Sequence, residues 1–219
     1  MANIDLFEAV GPRMVGPSSS HTAGPCIIAL ADRRIFGEMP EKAVFTLYGS
    51  FARTYMGHGT DRALVGGILG FEADDMRLAD SFELAEGLDY SFVIDKDTPV
   101  DHPNTVDIRL IKGDNILELR GVSLGGGKIE IVGLNGVRVR FTGEYPTLII
   151  THGDATGVLH LITETLEEQG INIATLRMFR EEKGRLAYSV IESDQPIPDD
   201  TVERLRSDER IKKVMLFRT

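Results

Sequence analysis

The stretch TLIITHGDATGVLHLITETLEEQG, residues 147–170, decides the fold of the C-terminal part of the chain. It opens with a short apolar strand, Thr147–Thr151, and continues through Asp154–Gly157, whose residue types favour a turn and a helix cap. Apolar residues then recur at helical spacing up to Leu166, and Gly170 stands where a glycine commonly ends a helix. The stretch therefore predicts a strand, a turn and an amphipathic helix, in that order.

The segments after this stretch extend the same pattern. Ile171–Phe179 and Leu186–Ile191 are typical of strands, and Pro198 lies near the start of a second helix. Val214–Phe217 predicts a closing strand. The complete order is βαββαβ, which is the layout of a ferredoxin-like domain.

This part of the chain resembles an ACT domain. The turn of that family is Asp-x-Pro-Gly-x-Leu, and residues 154–159 read Asp-Ala-Thr-Gly-Val-Leu, with Thr156 in the place of the usual proline. The resemblance implies a domain at 147–219 that pairs edge to edge and binds an amino acid near the turn. The residues implied for effector binding are Asp154, Gly157, Asn172 and Ile173. Pairing alone would also account for the domain, so sensing and dimerisation are both open at this point.

Residues 1–144 have a less regular pattern, which predicts a separate α+β domain. Two helices are expected, from about Thr22 to Phe36 and from Asp61 to Leu69, with a strand at Ala43–Tyr48 between them. Two hairpins should follow, the second through the type I′ turn signal Asn135-Gly136. Their predicted strands are Thr105–Ile111, Ile116–Arg120, Lys128–Val132 and Val137–Phe141.

Composition argues against several classes of function. The 219 residues are 42% hydrophobic and 26% charged, as in ordinary globular proteins, and the net charge of −10 argues against nucleic acid as a partner. No apolar run is long enough to span a membrane and the N-terminus lacks the pattern of a signal peptide, so we expect a cytoplasmic protein. The lone Cys26 allows neither an internal disulfide nor a cluster held by cysteines of this chain alone, and we expect it to be a small buried filler.

The stretch GPSSSHT, residues 16–22, concentrates hydroxyl groups just before the first predicted helix. Serines at such a position cap a helix, and the free N–H groups and the helix dipole there favour a bound anion. From this chemistry alone, two interpretations are open. The stretch is either a solvated capping loop or a cup in which Ser18, Ser19 and Ser20 hold a carboxylate.

Two further stretches place a histidine among turn-forming residues. In Gly57-His58-Gly59-Thr60-Asp61 the glycines suffice for a turn, so the histidine points to proton transfer, and Asp61 would cap the next helix or orient the imidazole. Asp101-His102-Pro103-Asn104, taken alone, is more typical of a plain turn. Gly125-Gly126-Gly127 is a flexible link whose backbone is able to approach a ligand closely.

Taken together and in order, these motifs look like the β chain of iron–sulfur-dependent L-serine dehydratase, in its two-chain bacterial form with a C-terminal ACT domain. The motifs are Gly16–Pro25, Leu47–Ser50, Gly57–Asp61, His102–Asn104 and Ser123–Gly127. That family converts L-serine to pyruvate and ammonia with a 4Fe-4S cluster, whose open iron would assist departure of the hydroxyl group. The resemblance implies that cysteines of a partner α chain hold the cluster. It also implies a first domain similar to the regulatory domain of phosphoglycerate dehydrogenase.

The resemblance further implies roles for individual residues. Loss of the α-proton of serine needs a base, for which His58 is our choice, while His21 and His102 would position the substrate or manage the leaving water. Tyr48 would orient a histidine or the substrate, and the three serines would hold the substrate carboxylate. Further substrate contacts are expected from Thr22, Thr60, Asp61 and Asn104, and no metal ligand is expected on this chain.

Two other interpretations compete with the catalytic one. A non-catalytic subunit would sense serine through the serine cup, a task that needs no histidines. A free-standing hydrolase would pair a serine with His21, although serines next to a histidine in sequence seldom form a triad. The catalytic interpretation also predicts that the isolated chain is inactive, that it works with a cluster-bearing α subunit, and that it self-associates through the ACT domain.

Overall fold

The computed structural model describes residues 13–180 and 182–217. The chain forms two compact units, which divide between Gly136 and Val137. This division precedes the predicted domain boundary at 144–147, which stays a prediction. Each unit combines helices with strands, so the predicted α+β class is confirmed. Among the described helices, none has both the length and the apolar character that a membrane crossing needs.

The first unit carries the elements that position the candidate site. Its described helices are α1 (Gly24–Phe36), α2 (Gly49–His58), α3 (Thr60–Ile68) and α4 (Ser81–Leu84). A π-helical turn at Ser19–Ala23 leads into α1, and a 3-10 turn at Met76–Asp80 leads into α4. Its described strands are β1 (Lys42–Tyr48), β2 (Asp89–Asp95), β3 (Thr105–Lys112), β4 (Asn115–Gly125) and β5 (Lys128–Leu134).

These strands form a sheet in the order β2-β1-β3-β4-β5, in which β1 and β2 are parallel and the other neighbours are antiparallel. Alternate residues of β1, namely Ala43, Phe45 and Leu47, are fully buried, because successive side chains of a strand point to opposite faces. Helix α1 packs closely on β4, where a Cβ at Gly121 would lie 2.5 Å from Cγ2 of Ile28. The core of the unit therefore lies between α1 and one face of the sheet.

The two helices predicted for this unit are confirmed as α1 and α3, but the sequence pattern predicts neither α2 nor β2. Residues 49–58 contain two glycines and a threonine, which disfavour a helix interior. Tertiary contacts outweigh this preference in α2. Phe51 is fully buried, and the N–H of Ser50 donates a hydrogen bond to the carbonyl of Pro103 at 2.7 Å.

The turn chemistry of the predicted hairpins agrees with the structure. Strands β3 and β4 pair as far as Lys112 with Asn115, which confirms the first hairpin. Asn135 and Gly136 both have positive φ, of 49° and 79°, as a type I′ turn requires. The strand after that turn, β6 (Val137–Phe141), is the first element of the second unit.

The second unit has the predicted ferredoxin-like order. After β6 come β7 (Thr147–Gly153), α5 (Val158–Glu168), β8 (Ile173–Arg180), β9 (Leu186–Ser193), α6 (Asp199–Arg206) and β10 (Ile211–Phe217). The last four strands form an antiparallel sheet in the order β10-β7-β9-β8. Leu148 and Ile150 of β7 pack with Val158 and Ile162 of α5 in one buried cluster. The βαββαβ order expected for the segment from Thr147 to Phe217 is thus confirmed.

Candidate active site

A π-helical turn at the start of α1 presents the serine-rich stretch. Ser18 has extended backbone angles, with φ −145° and ψ 124°, and its Oγ accepts a hydrogen bond from the N–H of His21 at 3.1 Å. Ser18 is therefore an N-cap, as the sequence predicts. π-helical turns are rare and often occur at functional sites, so the geometry itself marks this end of the helix.

His21 is held at both of its ring nitrogens. Nδ1 lies 2.8 Å from Oγ of Ser20, and Nε2 lies 2.8 Å from Oγ of Ser50. The ring meets that of Phe51 edge-on, with 5.4 Å between the ring centroids. Burial, and then the nearby ring of His58, lower the pKa of His21, which favours the neutral imidazole near pH 7. A neutral ring has one N–H, so one of the two serines donates to it and the other accepts from it.

His58 lies beside His21, with 5.0 Å between the ring centroids. Two threonine hydroxyls tie the segments that carry these rings. Oγ1 of Thr22 donates to the carbonyl of His58 at 2.7 Å, and Oγ1 of Thr60 donates to the carbonyl of His21 at 2.5 Å. The hydroxyl hydrogens of both threonines, which are predicted substrate contacts, are therefore already used within the chain.

The ring of His58 has fewer described hydrogen bonds than that of His21. Its Nδ1 is buried and has no hydrogen-bond partner among the described residues, although the side chain as a whole is partly exposed. A small molecule that approaches this ring therefore meets Nε2 and not Nδ1. Two of the three predicted catalytic histidines thus lie together, and only one of their rings is engaged at both nitrogens.

The His-Pro-Asn motif reaches the same place through the start of α2. Gly49 has a φ of +52°, and a Cβ there would lie 2.5 Å from the carbonyl oxygen of Pro103. The imidazole of His102 turns back into its own loop, where Nδ1 accepts a hydrogen bond from the N–H of Asn104 at 3.1 Å. In the neutral ring, Nε2 of His102 then carries the hydrogen and is a donor.

The motif at the end of β4 closes the arrangement. A Cβ at Gly24, the first residue of α1, would overlap Oγ of Ser123. Ser123 is fully buried, and its Oγ has no hydrogen-bond partner within the described ranges. The side-chain amide of Asn104 donates to the carbonyl of Ser123 at 3.3 Å, and the N–H of Gly126 donates to Oγ of Ser19 at the same distance. All five sequence motifs are therefore joined by direct contacts.

Sequence reasoning gave Ser50 and Ser123 no role of their own. Both belong to quoted motifs, and for Ser50 the available signal was a hydroxyl directly after the glycine that follows β1. Ser50 also bears on the hydrolase interpretation, because a serine distant in sequence does bond to His21. Ser20, the serine next to His21 in sequence, bonds to the other nitrogen of the same ring.

Two predicted residues make their described side-chain hydrogen bonds with groups other than the histidine rings. The hydroxyl of Tyr48 donates to Oδ2 of Asp107 at 3.0 Å, and Arg120 bonds the same carboxylate at 2.6 and 2.7 Å. Alternation along β1 puts Tyr48 on the sheet face opposite that of Leu47, where its hydroxyl meets Asp107 of the neighbouring strand. Asp61 accepts a hydrogen bond at 2.9 Å from the next N–H of its own helix, and burial raises its pKa.

The described residues do not fit an iron–sulfur cluster held by this chain. Within residues 13–180 and 182–217, no three His, Cys, Asp or Glu side chains come together as a potential ligand set. Cys26 is buried, its thiol donates to the carbonyl of Phe71 at 3.3 Å, and burial raises the pKa of the thiol to about 12. The thiolate that iron ligation needs is therefore disfavoured.

The turn of the second unit holds its predicted effector residues in local contacts. Oδ2 of Asp154 accepts a hydrogen bond from the N–H of Gly184 at 2.7 Å and lies 3.0 Å from Nε of Arg180. The hydrogen bond from Gly184 contributes most to lowering the pKa of Asp154, and Arg180 adds to it. Gly157 is the N-cap of α5, with a φ of +86°. The carboxylate of Asp154 is thus partnered within the chain.

The other two predicted effector residues lie at the start of β8, an edge strand of the sheet. The side-chain amide of Asn172 donates to Oδ2 of Asp194 at 2.5 Å, and its backbone N–H donates to Oε1 of Gln195 at 2.8 Å. Ile173 is the first residue of the strand. A ligand at this turn would have to compete with these contacts for the amide of Asn172.

Comparison with known proteins adds an independent finding. Residues 3–94 match the sequence model of the family described as serine dehydratase beta chain. The chain is 42% identical over 202 residues, or 91% of each chain, to the probable L-serine dehydratase, beta chain, of Bacillus subtilis (strain 168). It is 40% identical over 213 residues, or 96% of each chain, to the L-serine dehydratase, beta chain, of Peptoniphilus asaccharolyticus.

The two long matches extend over both units. The chain therefore belongs to the serine dehydratase β-chain family, as the ordered motifs predict. A shorter match, 31% identical over 90 residues, joins 41% of this chain to 17% of the D-3-phosphoglycerate dehydrogenase of Methanocaldococcus jannaschii. This match agrees with the expected likeness to such a dehydrogenase.

Proposed function

We propose that this chain is the β subunit of an L-serine dehydratase that converts L-serine to pyruvate and ammonia. The observation that carries the proposal is the pair of histidine rings, 5.0 Å apart, beside the serine-rich turn at the start of α1. The long similarity to two chains named as L-serine dehydratase β chains supports the same reaction. Because the described residues offer no ligand set for a cluster, we assign all cluster ligands to a partner α subunit.

In this proposal the serine-rich turn binds the substrate carboxylate. Ser18, Ser19 and Ser20 are partly exposed and precede α1, where the helix dipole favours an anion. Oγ of Ser18 accepts the N–H of His21, so its own hydrogen is available to Ser20 or to a carboxylate oxygen. Of the two interpretations of this stretch, the proposal therefore adopts the cup that binds a carboxylate and not the solvated capping loop.

His58 is the base that takes the α-proton of serine, at Nε2. His21 is engaged at both nitrogens, and the neutral ring of His102 presents a donor, so neither is free to accept that proton. The electron pair of the broken C–H bond forms a carbon–carbon double bond as the β-hydroxyl departs, and His102 is suited to donate a hydrogen bond to that group. The resulting enamine tautomerises and hydrolyses to pyruvate and ammonia without further help from the chain.

The second unit is proposed to self-associate and to bind an amino acid. Strand β8 lies at an edge of its sheet, and such an edge is suited to pairing with a second copy. Asp154, Gly157, Asn172 and Ile173 are the proposed effector contacts, with L-serine as the proposed effector. Titration of the purified chain with L-serine, with and without Asn172→Ala, tests the effector site separately from turnover.

An anaerobic reconstitution tests the catalytic proposal. This chain, the cysteine-rich chain that co-purifies with it from its source, and the mixture of both are assayed for pyruvate formed from L-serine. We expect turnover only in the mixture, because the described part of this chain lacks cluster ligands. A mixture without turnover, combined with L-serine binding to this chain alone, would leave a serine-sensing subunit in place of an enzyme subunit.

A further inference from the structure

The hydroxyl of Ser50 contacts a proposed active-site ring but has no role in the reaction described above. Its Oγ lies 2.8 Å from Nε2 of His21, across 29 residues of sequence. The opposite ring nitrogen bonds to Ser20, which directly precedes His21 and belongs to the same turn. Ser50 is therefore the contact that fixes the ring of His21 relative to a different element, the helix α2.

Ser50 is itself held on both sides of its backbone. Its N–H donates to the carbonyl of Pro103 at 2.7 Å, and its own carbonyl accepts a hydrogen bond from Oγ1 of Thr54 at 2.9 Å. Gly49, just before it, packs so closely on Pro103 that a Cβ there would lie 2.5 Å from the carbonyl oxygen. The hydroxyl of Ser50 is thus presented from a rigid position, as a positioning group requires.

We propose that Ser50 is a positioning residue for the dehydration of serine, and that its hydroxyl holds His21 in one orientation and one tautomer beside His58. This inference rests on the proposed function, because it assigns Ser50 to the reaction at that site. Ser50 acts through His21 and is not itself a catalytic group.

The hydrogen bonds around His21 also indicate which tautomer is held when substrate is bound. A carboxylate in the cup takes the hydrogen of Ser18, whose Oγ, 3.3 Å from that of Ser20, then accepts from Ser20. Oγ of Ser20 in turn accepts from Nδ1 of His21, and Ser50 donates to Nε2. The opposite polarity loses the Ser18–Ser20 hydrogen bond and leaves the hydrogen of Ser50 without a described acceptor. The Nδ1–H tautomer is therefore the one that Ser50 supports.

A donor at Nε2 stabilises the neutral ring, so removal of Ser50 makes His21 easier to protonate. His58 is the titratable group that the described ring contacts place against His21. A positive charge on His21 would oppose proton uptake by His58. We therefore expect Ser50→Ala to lower kcat.

The experiment compares three variants of the full chain, Ser50→Ala, Ser50→Thr and Thr54→Val, with the unsubstituted chain. Ser50→Thr keeps a hydroxyl at position 50. Thr54→Val removes the hydrogen bond to the carbonyl of Ser50 but leaves the hydroxyl of Ser50 in place. Kinetics are measured in the reconstituted two-chain mixture. Imidazole 15N signals of His21, assigned with His21→Asn, are measured in this chain without its partner and in the presence of L-serine.

We expect Ser50→Ala to lower kcat about tenfold, the factor that corresponds to one hydrogen bond of ordinary strength, with a smaller change in KM. The His21 spectrum should change from one dominant tautomer to a mixture, Ser50→Thr should restore both readouts, and Thr54→Val should leave both near those of the unsubstituted chain. An unchanged His21 spectrum, an unchanged kcat in Ser50→Ala, or an equal loss in Thr54→Val would overturn the proposal. If the unsubstituted mixture has no turnover, the proposed function fails, while the nitrogen spectra still decide whether Ser50 holds His21.

Discussion

The histidine cluster of the first unit and the Asp154 turn of the second unit use similar polar residues but hold them differently. In the cluster, hydrogen bonds join four segments, namely the π-helical turn, α2, α3 and the loop at 102–104, as His21 is joined to Ser50. At the turn, Asp154 bonds to Gly184 and Arg180, which both lie beside the connection between β8 and β9. The cluster therefore depends on four segments of its unit, whereas the described contacts of Asp154 depend on a single connection between two strands. Substitutions in the cluster should accordingly have the larger effects.

The largest effect is expected from the proposed base. His58→Ala should lower kcat of the reconstituted enzyme by roughly a factor of 100 to 10,000, the usual contribution of a general base. His160→Ala, which removes a 77% exposed histidine side chain from the second unit, should leave kcat unchanged. Pyruvate formation in the two-chain mixture is the measurement. Equal rates of pyruvate formation for His58→Ala and His160→Ala would contradict the assignment of the catalytic base to the first unit.

A large effect on stability is expected where α1 meets the end of β4. Gly24→Ala adds a Cβ that overlaps the side chain of Ser123, and overpacking of this kind costs about 1–3 kcal/mol. Gly57→Ala is the matched control, because a Cβ at that helical position meets nothing within 4 Å. Chemical denaturation of both variants measures the difference. If the Gly24→Ala chain were as stable as the control, the side chain of Ser123 would be able to move aside at little cost in free energy.

A medium effect with a defined pH dependence is expected at Asp32 in α1. This carboxyl is fully buried, neither oxygen has a hydrogen-bond partner among the described residues, and burial raises its pKa well above the ordinary value. Between the unfolded pKa of about 4 and the raised folded pKa, the folded chain therefore holds a proton that the unfolded chain has lost, and stability falls as pH rises through this range. Asp32→Asn should stabilise the chain at pH 8 by on the order of 1 kcal/mol or more, and less at pH 4. A gain that did not depend on pH would exclude ionisation as its cause.

The smallest effect, with the opposite pH dependence, is expected at Asp154. The N–H of Gly184, and then Arg180, lower the pKa of this carboxyl, so its contribution is present above the unfolded pKa and is lost as pH falls through the folded value. Asp154→Asn should therefore lower Tm slightly at pH 7, and by less as pH falls through the folded pKa of Asp154. Thermal unfolding over a series of acidic pH values checks this. If the stability changes of Asp32→Asn and Asp154→Asn depended on pH in the same direction, the contrast between a buried carboxyl without partners and a hydrogen-bonded carboxyl would be wrong.

The same contrast explains how much of the fold could be predicted from sequence. The second unit was predictable because its apolar spacing and its turn residues act locally, as in the stretch 147–170. Helix α2 was not predictable, because Gly49 and Gly57 oppose a helix and the contact of Ser50 with Pro103 that supports it joins distant residues. Strand β2 was not predicted from the sequence either. It pairs in parallel with β1, and parallel neighbours are not joined by a hairpin turn that the sequence would reveal.

The candidate site was predictable as a set of motifs but not as a set of partners. Residue type was enough to select His21, His58 and the serines, since these groups suit proton transfer and anion binding. Residue type does not say that Thr22 and Thr60 donate to backbone carbonyls, because such a pairing exists only after folding. The side of the sheet on which the Tyr48 hydroxyl lies is likewise set by strand register.

The reciprocal threonine ties also constrain how chains of this family can be recombined. Thr22 reaches the backbone carbonyl of His58, and Thr60 reaches that of His21, so each bond needs a threonine on one side and only a peptide group on the other. A chimera with its crossover inside 23–57 therefore keeps both bonds when each parent supplies its own threonine. Libraries of shuffled relatives should retain folded members with junctions in this interval when both parents carry threonine at positions 22 and 60.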